Sequence, residues 1–130
     1  MKFKSAALRE EFWNAHPVVR QMAIWFEQLC LVYFQKDPTI TRVLEDIPGA
    51  TKTHPEGRAI DFRDEFGGKR EFSDEEVRFL VSEMNKRFQD PSGMKSCVHH
   101  SFAGGPMHFH LQISRALAAS SGAPEPHAVV

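Results

Sequence analysis

The sequence predicts an α+β fold: a small, mainly antiparallel sheet with N-terminal helices and one further helix packed on one face. Three observations predict it. Helical periodicity fills residues 5–34 and returns over 74–88. Residues 107–114 alternate apolar and polar without a break, the pattern of a strand with one buried face. The chain has 130 residues, 42% of them hydrophobic, which suits one core and hardly two.

The elements follow in order. Residues 5–15 fit a short amphipathic helix, with Leu8 and Phe12 on one face at i, i+4. Pro17 suits the first position of a second helix running to about Phe34. Val18, Met22, Trp25, Phe26, Leu29 and Tyr33 form its stripe. Ile24, Leu31 and Val32 make it apolar nearly all round, as in a helix central to a core. Asp37-Pro38 ends it. Residues 39–43 are β-branched enough for a strand, Pro48-Gly49 marks a turn, residues 59–63 form a second strand, and Gly67-Gly68 closes the loop after it. The helix over 74–88 carries the clearest signals. Ser73 and Glu76 make a capping box, Phe72 and Val77 occupy the staple positions, and Val77, Leu80, Val81, Met84 and Phe88 repeat at helical spacing. Strands at 96–102 and 107–114 follow, joined by Ala103-Gly104-Gly105-Pro106 as a hairpin. Residues 1–115 therefore read as one domain and 116–130 as a disordered tail.

Composition excludes several functions. Lys and Arg total 16 against 17 Asp and Glu, so no global basic field exists to hold nucleic acid. The greasy run from 18 to 34 contains Arg20, Gln21, Glu27 and Gln28, so no membrane insertion is expected. Arg9, Glu10 and Glu11 stand where a signal peptide needs an apolar run, which implies synthesis in the cytoplasm. Cys30 and Cys97 are too few for a disulfide scaffold or a cysteine-only zinc site, and Cys30 reads as a core thiol.

The histidines are informative. Of seven, five lie between positions 54 and 110. In the strand over 107–114, Met107, Phe109, Leu111 and Ile113 point one way, and His108, His110, Gln112 and Ser114 the other. In the strand over 59–63, Ile60 and Phe62 face the core and Asp61 faces away. Gly57 lets the preceding loop turn back so that His54 approaches Asp61. A loop histidine, a strand aspartate and a histidine on a nearby strand make three N/O ligands. Catalytic zinc sites have three protein ligands and one open position; structural sites are closed with four. A zinc face opposite the helices is the expectation, with Zn2+ as cofactor.

The run His54-Pro-Glu-Gly57-Arg58-Ala59-Ile-Asp61 resembles the His-x-x-Gly-x-Ala-x-Asp signature of the zinc peptidases that cleave bacterial cell-wall peptides. These are the D-alanyl-D-alanine carboxypeptidases and dipeptidases and the L-alanyl-D-glutamate endopeptidases, many of them phage endolysins; the hedgehog signalling domain shares their metal core. His108-Phe-His110 is similar to the His-x-His that supplies the last ligand in one branch of the group. The two motifs stand in the family's order and span a little under half the chain. The resemblance implies His54, Asp61 and His110 as zinc ligands and His108 beside the reacting oxygen, as catalytic residue. It implies a peptidoglycan peptide as substrate, reached through lysis, a holin-type pore or a phage particle.

Two positions depart from the family pattern. Many relatives carry a Glu or Asp as general base three residues before the last ligand, where Met107 stands here. Lys52 stands where relatives often have Ser or His. The base then falls to His108, to Glu56, or to His99 or His100. Of the adjacent pair, only one imidazole can join the metal face; His99 is taken as the site residue and His100 as structural. Arg58 is a candidate anchor for a substrate carboxylate, with a salt bridge to Asp46, Asp64 or Glu65 as the competing reading. His16 and His127 read as incidental.

Two further functions compete with a zinc hydrolase. A non-catalytic zinc-binding module on the same scaffold is favoured by the missing acid. Phosphate-ester chemistry usually uses two His-x-Ser/Thr motifs, and only one His-x-His pair is found here.

Overall fold

The computed structural model describes residues 1–121. Its elements in chain order are β1 (Lys2–Phe3), α1 (Ala6–Trp13), α2 (Pro17–Phe34), β2 (Thr39–Arg42), β3 (Ala59–Arg63), β4 (Glu65–Phe66), β5 (Lys69–Arg70), α3 (Asp74–Arg87), β6 (Cys97–His100), β7 (His108–Gln112) and α4 (Arg115–Ser120). The fold is α+β. Five strands form one sheet in the order β1-β2-β3-β7-β6, antiparallel except for the β1–β2 pair, and β4 and β5 make a separate ribbon.

The expected α3 is held by its expected cap. The Ser73 side chain accepts from the Glu76 N–H, and the Ser73 N–H donates to the Glu76 carboxylate. Acidic residues fill its first turn and Lys86 and Arg87 its last, both favourable to the helix dipole. In α1, Leu8 and Phe12 are the buried pair, and Ser5 caps the start. Between β4 and β5, Gly67 and Gly68 both have positive φ, as a two-residue turn of mirror-image type needs.

The helix α2 departs from expectation on its flank. Val19, Met22, Ala23, Phe26, Leu29 and Cys30 are its buried residues, while Trp25 and Tyr33 are exposed and Val32 is 64% exposed. The helix lies on the outside of a two-layer packing, so only one flank meets the sheet. There Phe26 packs on Phe62 and Phe109, with ring centroids 4.5 and 5.0 Å away. The exposed rings are partly covered: Arg87 lies over Trp25 and Phe79 against Tyr33.

The expected domain boundary at 115 is crossed by structure. Residues 116–120, assigned to the tail, belong to α4, whose N-cap Ser114 accepts from the Leu117 N–H. Asp90 in turn accepts from the N–H and hydroxyl of Ser114. His16 is not incidental. Its Nδ1 accepts from the Val18 N–H to cap α2, and its Nε2–H donates to the Ala118 carbonyl, tying α4 to the helical layer. Residues 122–130, including His127 and the rest of the expected tail, lie outside the described residues.

Register places the site. β3 pairs with β7 so that Asp61 opposes His110, Phe62 opposes Phe109 and Arg63 opposes His108. β6 pairs with β7 so that His100 opposes His108 and Val98 opposes His110. Directly opposed residues share a face. Phe62 and Phe109 therefore face the helices, and Asp61, His108, His110 and His100 face the other way, where His54 meets Asp61.

Candidate metal centre

Residues 43–58 carry His54 to the sheet. Gly57 sits at φ +73, a left-handed conformation that glycine adopts without steric cost, and turns the chain into β3. Hydrogen bonds from the Gly57 N–H to the His54 carbonyl and from the Arg58 N–H to the Thr53 carbonyl close the turn. His54, Asp61 and His110, all buried, come together as the motif spacing predicts. His54 Nε2 lies 3.1 Å from Asp61 Oδ1, and His110 Nδ1 lies 2.8 Å from the same oxygen. The His108 Nε2 stands 3.5 Å from Asp61 Oδ2.

The outer nitrogens of these rings fix their tautomers. The His54 Nδ1–H donates to the Val43 carbonyl at 2.8 Å. A carbonyl only accepts, so a neutral His54 turns a lone pair toward Asp61. Gln112 donates through its Nε2 to the Lys95 carbonyl, which leaves its Oε1 to accept from the His110 Nε2–H at 3.0 Å. His110 thus also turns its Nδ1 lone pair toward Asp61. His108 repeats the pattern, its Nδ1–H donating to the Pro106 carbonyl at 3.2 Å. Two imidazole lone pairs and a carboxylate oxygen converge on one buried point. Acceptors facing one another this closely need positive charge between them, supplied by protons on the rings or by a metal ion. These residues therefore fit a divalent cation, with two nitrogens and one oxygen as donors. Burial drives the Asp61 carboxyl up, but His110 and His54 outweigh it and hold the group below the usual carboxylate range. It stays ionised and ready to ligate.

The site opens on a cleft of about 380 Å³ lined by Asp61 and His108 together with Arg42, Arg63, Phe66 and Phe102. Phe66 and Phe102 are exposed at its rim. Of the three donors, Asp61 is the one that lines this cleft, with His108 beside it.

The remaining candidates are placed as follows. His99 lies on the helix-facing side of β6, its ring against Phe109 and its Nε2 2.7 Å from Asp64. His100 is the member of the pair on the metal face, with ring centroids 4.8 Å from His108 and 5.4 Å from His110. The expected order of the two is reversed. The sequence around β6, Cys97-Val98, is apolar on both parities and gives no clue to which face each histidine takes. Burial, followed by the neighbouring imidazoles of His108 and His110, lowers the pKa of His100. Arg58 is not at the cleft. It is buried, donating to Glu56 and to the Ile113 carbonyl, and pairs with none of Asp46, Asp64 or Glu65. Glu56 is no free base either: its hydrogen bond from Arg115, joined by Arg58, holds it down at about 2. Lys52 pairs with Asp46 at 3.0 Å. Gln112 is the contributor that sequence reasoning left without a role; its place two residues after His110 on one strand face is the signal that could have found it.

No family model, no curated protein and no solved structure matches this chain. The fold and the donor set define a small α+β protein with a buried His/Asp/His group able to hold a metal ion.

Proposed function

We propose that the chain is a zinc-dependent hydrolase of peptide bonds. Its proposed substrates are peptidoglycan stem peptides, cleaved as by the D,D-carboxypeptidase or L-alanyl-D-glutamate endopeptidase type. The observation that carries this reading is the convergence of the His54 and His110 lone pairs on Asp61 Oδ1, beside an open cleft. Two imidazoles and one carboxylate with an open position suit catalytic zinc. Bound by His54, Asp61 and His110, the ion would supply Lewis acidity toward a scissile carbonyl and toward water.

The chain's own residues do the rest. Val43 and Gln112 keep the ligand rings in the tautomers that face inward. His108, held by the Pro106 carbonyl, presents Nε2 at the cleft wall. That nitrogen takes the proton that water loses as its oxygen bonds the carbonyl carbon, and returns it to the amide nitrogen as the C–N bond breaks. His108 thereby fills the role of the acid absent at Met107. With Arg58 turned away, Lys4, Arg42 and Arg63 are cations at the cleft for a substrate carboxylate, Arg63 being already paired with Glu71.

A second reading, a non-catalytic metal-binding module, is favoured by Met107 in place of that acid. One experiment separates the two. Zinc-loaded protein is incubated with purified peptidoglycan, released amino groups are counted, and His108→Ala is the control. The hydrolase reading expects release that His108→Ala reduces by ~100-fold or more. Fully loaded protein that releases nothing from any cell-wall preparation supports the module.

A further inference from the structure

We infer that His100, His108 and His110 form a second transition-metal site, an all-imidazole set that shares His110 with the buried centre and competes with it. The site follows from strand register. His108 and His110 stand two apart on β7 and so share a face, and His100 is directly opposite His108 on β6. One nitrogen from each ring can be chosen so that all three lie within 4.8 Å of one another. The ring centroids of His100 are 4.8 and 5.4 Å from those of His108 and His110.

The two sets differ in chemistry and position. His54, Asp61 and His110 are all buried, whereas His100 is exposed and His108 half-buried, so the second set opens to solvent. Its three donors are all imidazoles, with the Asp61 carboxylate beside them, Oδ2 lying 3.5 Å from the His108 Nε2. Three neutral nitrogen donors discriminate strongly against Mg2+ and Ca2+ and suit Ni2+, Cu2+ and Zn2+, with Cu2+ the tightest. A neutral imidazole has one lone pair, and the other nitrogen of His110 is committed to Gln112. An ion held by one set therefore denies His110 to the other, and the two sets hold one ion between them. This inference stands whether or not the chain hydrolyses anything.

The test uses Cu2+ and Zn2+ themselves as probes. His54→Ala disables the buried set. The variant is expected to bind one Cu2+ whose electron paramagnetic resonance spectrum shows coupling to three nitrogens. Adding His100→Ala should reduce the coupling to two nitrogens and weaken Cu2+ at least ~10-fold. His100→Ala alone, at an exposed position that does not endanger folding, should leave Zn2+ affinity within about twofold of the parent while removing the third nitrogen from the Cu2+ spectrum. Identical Cu2+ spectra and affinities with and without His100 would overturn the site. Two ions bound at once to the two sets of the unaltered chain would overturn the competition.

Discussion

Asp61 and His110 stand directly opposite each other on neighbouring antiparallel strands, and the His110 Nδ1 lies 2.8 Å from Asp61 Oδ1. This cross-strand pair is the rigid half of the candidate metal centre. Its geometry is set by the ladder between β3 and β7, whose apolar residues Phe62 and Phe109 are pinned on the other face by Phe26. The other half is His54, delivered by a loop and held there by the Val43 carbonyl. A site assembled this way should respond differently to changes in its strand, its loop and its surroundings.

Gln112 acts through His110. Gln112→Ala removes the acceptor that keeps the His110 proton on Nε2, while all three donors remain. Zinc affinity should fall ~10- to 100-fold, with the thermal midpoint of the metal-free protein changed little. Competition with a chromophoric chelator measures the first and circular dichroism the second.

Gly57 holds the loop half in place. A Cβ at φ +73 is strained, so Gly57→Ala should cost about 1 to 2 kcal/mol of stability. The same turn carries His54, so zinc binding should weaken as well. Urea unfolding read alongside a zinc titration checks both effects. Stability loss with unchanged zinc affinity would show that His54 is positioned by something other than this turn.

Asp64 is a structural carboxylate, fully buried, that accepts from the Phe72 N–H and from Arg70 and lies 2.7 Å from His99. Burial pushes its carboxyl up, but His99, the Phe72 N–H and Arg70 together hold it below the usual range. A folded-state pKa below the unfolded value means the carboxylate stabilises the fold above the unfolded pKa of about 4, and this contribution fades as pH falls through the folded value. Asp64→Asn turns an amide N–H toward existing donors. It should cost about 2 to 3 kcal/mol at pH 7 and flatten the fall in stability below pH 4, as measured by urea unfolding across pH 2.5–7.

Cys30 and Cys97 are both fully buried, and burial pushes each thiol up to about 12. Neither should react with a thiol reagent at pH 8 in the folded protein, and both should react once urea unfolds it. Rapid native labelling of either would contradict the packing of α2 against the sheet.

Much of the candidate site was legible in the sequence because strand alternation has a strict period. Once 59–63 and 107–114 were read as strands, Asp61, His108 and His110 had to leave the core face, and Gly57 supplied the turn for His54. The faces of His99 and His100 were not legible: Cys97 and Val98 are both apolar, so the alternation that fixes a strand's parity is missing. The buried flank of α2 was offset from its predicted stripe, because a helix apolar nearly all round does not specify which flank a sheet covers. The strand β1 is two residues long and is defined by its pairing with β2, a long-range contact without a local pattern. The helix α4 begins at a good N-cap, Ser114, but its small residues run on toward a Pro-containing terminus and read as tail. Among the described residues no helix is long and apolar enough to cross a membrane.

The central claim is that one divalent ion is held by a loop imidazole, a strand carboxylate and a strand imidazole. Anomalous diffraction at the zinc edge, from crystals of protein purified without chelator and supplied with one equivalent of zinc, tests it most directly. The account predicts a single strong peak at ~2.0–2.2 Å from His54 Nε2, Asp61 Oδ1 and His110 Nδ1. A zinc peak away from His54 and Asp61, or none at all, would contradict it.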